Sequence, residues 1–241
     1  MNNPKSQRVA LVTGGSRGIG RATVEALLAQ EWIVYFCSLR PLAVDEALKD
    51  LESRYPSRVF ARACDVGNQQ QVDGLVAWVD SAAGRIDCLV NNAGLGIFAT
   101  VEDLSGDDWR HLIRTNLNGA FYAIRAVAPI MKRQESGWII NVASLAGRNP
   151  FRTGAAYNAS KFGLIGLSEA SMLDLRPYGI RVAAILPGSV RTQFSHPSPQ
   201  ATDDWKLAPD DIAQTVTDLL AYPDRALPSI VEIRPSRPPS K

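Results

Sequence analysis

The sequence predicts an α/β fold: a single domain built on a doubly wound parallel sheet of about seven strands, with helices on both faces. Two observations carry this. Seven short apolar runs alternate with six longer segments of helical periodicity, a pattern that closes as parallel strands joined by crossover helices. The runs are also continuously apolar, as strands covered on both faces require.

The first strand is "RVALV" (8–12), followed by a glycine-rich turn and a helix near 18–30. "WIVYFC" (32–37) and a helix near 42–54 come next, then "RVFARA" (58–63) and a helix near 68–83. "IDCLV" (86–90) precedes one long helical pattern, near 107–135. "GWIINVA" (137–143) leads to a helix near 155–177, which Gly179 after "RPY" should stop. "IRVAAIL" (180–186) is followed by a helix near 209–221, where Pro209, Asp210 and Asp211 suit the first turn, and "PSIVEI" (228–233) ends the sheet. Neither an internal repeat nor a dividing linker interrupts the pattern, so residues 1–234 read as one domain. The tail 235–241, within "RPSRPPSK", has the composition of a flexible segment.

Composition narrows the functional classes. An apolar share of 46% fills a sizeable core, and a net charge of +2 leaves no footprint for nucleic acid or a membrane surface. No apolar run reaches 18 residues, and "MNNPKSQR" enters the first strand without a leader pattern. Cys37, Cys64 and Cys88 are odd in number and lie in or beside apolar runs, which suits buried thiols in a reducing cytoplasm. The only two histidines, His111 and His196, match no metal-ligand spacing, so no metal is expected.

The chemistry begins at "TGGSRGIG" (13–20). Glycines let the chain turn sharply and approach a ligand, and the helix N-terminus behind them offers unpaired N–H groups to a pyrophosphate. The spacing Gly14-x3-Gly18-x-Gly20 departs from the common G-x-G-x-x-G fingerprint, but its place after the first strand points to dinucleotide binding. Further on, "YNASK" (157–161) sets Tyr157 and Lys161 four residues apart, on one helical face. A lysine there would favour the phenolate and bring the phenol's pKa toward neutrality. An ordinary surface pair has the same spacing.

Six motifs in order decide between these readings. "TGGSRGIG", "NNAG" (91–94), "NLNG" (116–119), "NVAS" (141–144), "YNASK" and "PGSVRT" (187–192) resemble the signatures of the short-chain dehydrogenase/reductase family over roughly residues 8–192. The resemblance implies a Rossmann-type catalytic domain, related to the 3-oxoacyl-[acyl-carrier-protein] reductases. It also implies hydride transfer between a nicotinamide cofactor and a small-molecule carbonyl or secondary alcohol. Tyr157 becomes the general acid and base, Ser144 the hydrogen-bonding partner of the carbonyl oxygen, and Lys161 a fixed positive charge that also holds the nicotinamide ribose. Asn116 becomes the holder of a proton-relaying water. Taken alone, Asn116 could bond a neighbouring carbonyl and Ser144 could be a turn cap. The occupied tetrad favours an enzyme over a non-catalytic NADP-sensing protein on the same fold.

The resemblance also assigns the cofactor contacts. Gly14, Ser16, Arg17, Gly18, Ile19 and Gly20 form the phosphate loop, while Asp65 and Val66 meet the adenine. Asn92, Ala93 and Gly94 line its ribose, and Pro187, Gly188, Val190 and Thr192 close over the nicotinamide. Strand two ends at Ser38, followed by Leu39 and Arg40, where NAD-dependent proteins carry an acid for the 2′-hydroxyl. Without that carboxylate, and with Arg17 and Arg40 near, NADP(H) is expected in preference to NAD(H). Leu95, Ile97, Phe98, Leu145 and Phe151 suggest an apolar substrate wall, with Arg148 and Arg152 at its rim; core packing is an equal reading of the apolar ones. The segment 193–208 is short for a lid, and the C-terminus lacks the glycine-rich ending of acyl-carrier reductases. A homodimer or homotetramer is expected through the helices carrying Asn116 and Tyr157.

Overall fold

A computed structural model of the protein describes residues 7–194 and 203–238. Strands β1 (Val9–Thr13), β2 (Ile33–Ser38), β3 (Val59–Ala63), β4 (Cys88–Asn91), β5 (Gly137–Val142), β6 (Ile180–Pro187) and β7 (Ile230–Ile233) form one sheet. Their order is β3-β2-β1-β4-β5-β6-β7, and every neighbouring pair is parallel. Helices α1 (Gly18–Ala29), α2 (Pro41–Arg54) and α7 (Pro209–Ala221) cover one face. Helices α3 (Gln69–Ala83), α5 (Gly119–Gln134) and α6 (Ala155–Leu175) cover the other.

Each central strand feeds both cores because its side chains alternate in direction. Ala10 and Val12 pack with Leu27, Ile212 and Val216, whereas Val9 and Leu11 pack with Val76, Val127 and Ile139. The chain runs outward from β1 to β3 and then returns to start β4 on the other side of β1. That reversal opens a crevice beyond the carboxyl ends of β1 and β4, the place where open α/β sheets hold ligands.

The expected stops and starts are realised. Gly179 has φ 70° after the helix, and Pro209 opens α7. The helix expected near 107–135 does not run regularly. Helix α4 (Gly106–Ile113) passes into α5 through a π turn at Arg114–Asn118, where the Gly119 N–H donates to the Arg114 carbonyl five residues back. The wider turn carries Asn116, whose side chain is buried and bonded to the loop after β4.

Candidate active site

A cavity of about 860 Å³ occupies the crevice, and the glycine loop forms one wall. Gly14 and Gly18 take φ of 70° and 55°, which a larger residue adopts only with strain. A Cβ on Gly20 would fall 2.2 Å from the Gly14 carbonyl oxygen, so the third glycine lets α1 start against the loop without reaching the cavity itself. Ser16, Arg17, Gly18 and Ile19 do line it. No side chain caps the N-terminus of α1, and no acid lies in its first turn. Its unpaired N–H groups and positive dipole end therefore remain for an anion, and a dinucleotide's pyrophosphate fits them.

Thr13, which motif reading overlooks, fixes this loop to its neighbour. Its hydroxyl accepts from the N–H groups of Asn92 and Ala93, both at 3.0 Å, and Asn92 Nδ2 donates to the carbonyls of Thr13 and Gly14. Asn92, Ala93 and Gly94 thus stand beside the glycine loop on the cavity wall. Their position is set by the backbone, not by their own side chains alone.

The far wall carries the residues singled out for chemistry. Ser144 follows β5 and accepts from the Ala146 N–H at 3.1 Å, so it caps a short 3₁₀ turn while lining the cavity. Tyr157 and Lys161 share one face of α6, and both line the cavity. Lys161 Nζ lies 5.8 Å from the Tyr157 ring centroid and donates to the Val142 carbonyl at 3.0 Å. Burial raises the Tyr157 pKa, and a hydrogen bond from Ser144 works against that rise. Burial likewise lowers Lys161 from 10.5 to about 8. The simple expectation that lysine depresses the phenol therefore does not describe the protein by itself: desolvation dominates both groups.

Asn116 does not line the cavity. It supports the wall from behind, its Oδ1 accepting from the Leu95 N–H at 2.8 Å and its Nδ2 donating to the Leu95 carbonyl and the Ser160 hydroxyl. Both side-chain N–H groups are thereby engaged, so a relayed water here must use another atom of the residue. A second polar chain, invisible to motif reading, crosses the sheet below: Asn91 donates to Asn141, and Asn141 to Ser168, at 2.9 and 2.8 Å. All three are buried, and the chain locks β4, β5 and α6 together.

At the other end of the cavity the Ser38 hydroxyl accepts from the Ser16 N–H at 3.2 Å, with Leu39 and Arg40 alongside. Arg17 and Arg40 line this end, and neither has an ion pair among the described residues. The nearby carboxylate, Asp65, is held by Arg114 at 3.1 Å and accepts from the Gly67 N–H. Val66 is buried against the position of Gly119, with part of it on the cavity wall. Pro187, Gly188, Val190 and Thr192 also line the cavity, with Thr192 packed at the position of Gly18, and the Val190 loop is fastened by the Arg191 N–H to the Leu207 carbonyl.

Leu95, Phe98, Leu145 and Phe151 lie on the cavity wall; Ile97 and Arg152 do not. Arg148 is paired with Glu232 at 2.8 Å, and Glu232 also holds Arg234. Arg234, Pro235 and Pro238 line the cavity, and Pro235 packs at the position of Gly188. Exposed His111 stands at the cavity edge, while His196 and residues 239–241 lie outside the described residues. No cluster of metal-ligating side chains occurs among the described residues.

This fold, with a glycine loop at the switch point and Ser144, Tyr157 and Lys161 on the same cavity, is a Rossmann-type scaffold of the oxidoreductase class. The chain belongs to the short-chain dehydrogenase family, whose model, described as "short chain dehydrogenase", matches residues 8–203. It is 36% identical over 228 residues to the uncharacterized oxidoreductase YxjF of Bacillus subtilis, covering 94% of this chain and 88% of that one. It is 35% identical over 216 residues to the 3-alpha-(or 20-beta)-hydroxysteroid dehydrogenase of Mycobacterium tuberculosis, covering 90% and 78%. Among solved structures, a metagenomic short-chain oxidoreductase in complex with NADP superimposes with a TM-score of 0.84 at 34% identity, covering 96% of this chain and 98% of that one. No helix among the described residues is long and apolar enough to cross a membrane.

Proposed function

We propose that the protein is an NADP(H)-dependent oxidoreductase interconverting a ketone and a secondary alcohol, with Asn116, Ser144, Tyr157 and Lys161 as its working residues. The observation that carries this reading is the meeting of Tyr157, Ser144 and Lys161 on one wall of the cavity whose other wall is the glycine loop. A dinucleotide held by Ser16, Arg17, Gly18 and Ile19 at the start of α1 would supply or accept the hydride. Tyr157 gives its phenolic proton to the carbonyl oxygen in reduction and takes it back in oxidation. Ser144 donates to the same oxygen and holds it toward the phenol. Lys161 keeps a positive charge where negative charge develops, which offsets the cost that burial places on the phenolate. Asn116 holds the Leu95 loop that completes the wall.

Ser38, with no carboxylate at the end of β2, supports NADP(H) over NAD(H). So do Arg17 and Arg40, which have no ion pair among the described residues, and the NADP complex of the related metagenomic enzyme. The hydroxysteroid dehydrogenase relative and the apolar wall support a compact apolar ketone rather than a 3-oxoacyl thioester. Free Cys37, Cys64 and Cys88, all buried, suit a reducing cytoplasm. Exposed Phe121, Phe162 and Leu173 on α5 and α6 suit pairing of these helices in a homodimer or homotetramer.

The test is kcat/KM with NADPH and with NADH over a panel of ketones, for the wild type, Arg17→Ala, Arg40→Ala and Ser38→Asp. Each arginine loss should weaken NADPH use by roughly ten- to a hundredfold and spare NADH. Ser38→Asp should reverse the preference. Equal cofactor ratios in all four proteins would overturn the cofactor reading.

A further inference from the structure

Three phenylalanines from separate loops converge on Tyr157. The ring centroids of Phe98 and Phe194 each lie 5.7 Å from that of Tyr157, and Phe151 lies 6.3 Å away. Phe98 and Phe151 are 5.8 Å apart, and the Ala99 N–H, donating to the Thr153 carbonyl at 2.9 Å, ties their loops together. Phe194 is anchored through its N–H to Thr192 Oγ1. All three rings line the cavity, yet they remain 44%, 45% and 40% exposed. Apolar rings clustered in a concave wall and left uncovered are the usual mark of a ligand surface.

Gly96 makes this convergence possible. A Cβ there would fall 2.7 Å from the Phe98 ring and 2.8 Å from the Phe194 ring, closer than any real contact. Its backbone lies outside the left-handed region, so the chain itself would accept alanine. The missing side chain is needed by the two rings, which would otherwise pivot away from Tyr157.

Resting on the reading of Tyr157 as proton donor, we propose that Gly96, Phe98, Phe151 and Phe194 form the specificity pocket. It selects ketones whose carbonyl lies on or beside a flat apolar ring. Such a ring packs edge-to-face or offset among the three phenyl groups and brings its carbonyl to Tyr157 and Ser144 in one orientation. A straight alkyl chain buries similar area but loses rotamer freedom at each bond and gains no ring contacts. Gly96 acts as a positioning residue, since it touches the phenyl rings and works through them.

The experiment compares an aryl ketone with a straight-chain methyl ketone of equal carbon number, for the wild type, Gly96→Ala, Gly96→Ala/Phe194→Leu and Phe98→Leu. NADPH binding by fluorescence and binding of the matching ring alcohol by calorimetry are measured beside turnover. The wild type should favour the ring ketone by about tenfold or more in kcat/KM. Gly96→Ala should raise KM for the ring ketone and the ring alcohol's Kd by about tenfold, a clearly larger loss than that of the straight-chain ketone, with NADPH binding near wild type. Adding Phe194→Leu relieves only one of the two clashes, leaving that with Phe98, and removes a phenyl group, so the double variant should bind the ring ketone no better than Gly96→Ala. Phe98→Leu should weaken the ring ketone more than the straight-chain ketone. Equal loss for both ketones, or no change in Gly96→Ala, would overturn the proposal. Failure of the wild type to oxidise NADPH with any ketone would instead overturn the proposed function beneath it.

Discussion

Lys161, to which the proposed reaction assigns a positive charge, is buried at a cost in stability, and the cost is measurable. Burial holds its pKa at about 8 in the folded protein against 10.5 for an unburied lysine. At about 1.4 kcal/mol per unit, this gap corresponds to about 3 kcal/mol of destabilisation at neutral pH. Below about pH 8 both the folded and unfolded chains hold the proton, so the cost is present in full. Between about 8 and 10.5 the unfolded state binds more protons, stability rises with pH, and the cost disappears. Lys161→Met keeps the length of the side chain and removes the charge. It also leaves the Val142 carbonyl without the bond from Nζ, which offsets about 1–3 kcal/mol at every pH. The diagnostic is therefore the change with pH. Urea denaturation of the free protein should show the stability of Lys161→Met relative to wild type falling by about 2 kcal/mol between pH 7 and about pH 9.5. A difference that stays constant over that interval would refute the assignment of Lys161 as a buried, desolvated ammonium.

Further outcomes follow from the same geometry. Tyr157→Phe should lower kcat at least about a hundredfold while NADPH binding, read by fluorescence titration, stays within about threefold of wild type. Gly20→Ala puts a methyl group 2.2 Å from the Gly14 carbonyl oxygen, so it should abolish measurable NADPH binding and cost about 1–3 kcal/mol in urea denaturation. Asn141→Val leaves the buried Asn91 amide without its acceptor, while Ser168 keeps its bond to the Leu164 carbonyl, and should destabilise by about 1–3 kcal/mol; a loss below about 0.5 kcal/mol would show that the buried chain is dispensable.

Much of the architecture is legible in the sequence because it depends on local patterns. The seven apolar runs become the seven strands, and Gly179 and Pro209 mark helix ends where their backbone preferences require. The glycine loop is equally local: its conformation follows from Gly14 and Gly18 themselves. Features set by tertiary partners are not legible. The π turn at Asn116 leaves the helical periodicity nearly intact, and the bonds its side chain makes run to the Leu95 backbone, 21 residues away. Thr13 looks like the last residue of a strand until Asn92 and Ala93 arrive beside it. The same holds for Phe194 and Gly96, whose meaning emerges only when three loops converge on Tyr157. Electrostatics differ most: spacing alone reports that Tyr157 and Lys161 are near, but burial decides which way each proton equilibrium moves.

The most direct measurement is isotope transfer. NADPH carrying deuterium at the transferable nicotinamide position is incubated with the protein and an aryl ketone, and the product is analysed by mass spectrometry. Wild type should yield the secondary alcohol with one deuterium on the former carbonyl carbon, and Tyr157→Phe should yield it at least about a hundredfold more slowly. NADPH that binds tightly but gives no labelled alcohol from any ketone tried, or a Tyr157→Phe protein that forms the labelled product at the wild-type rate, would contradict hydride transfer assisted by this phenol.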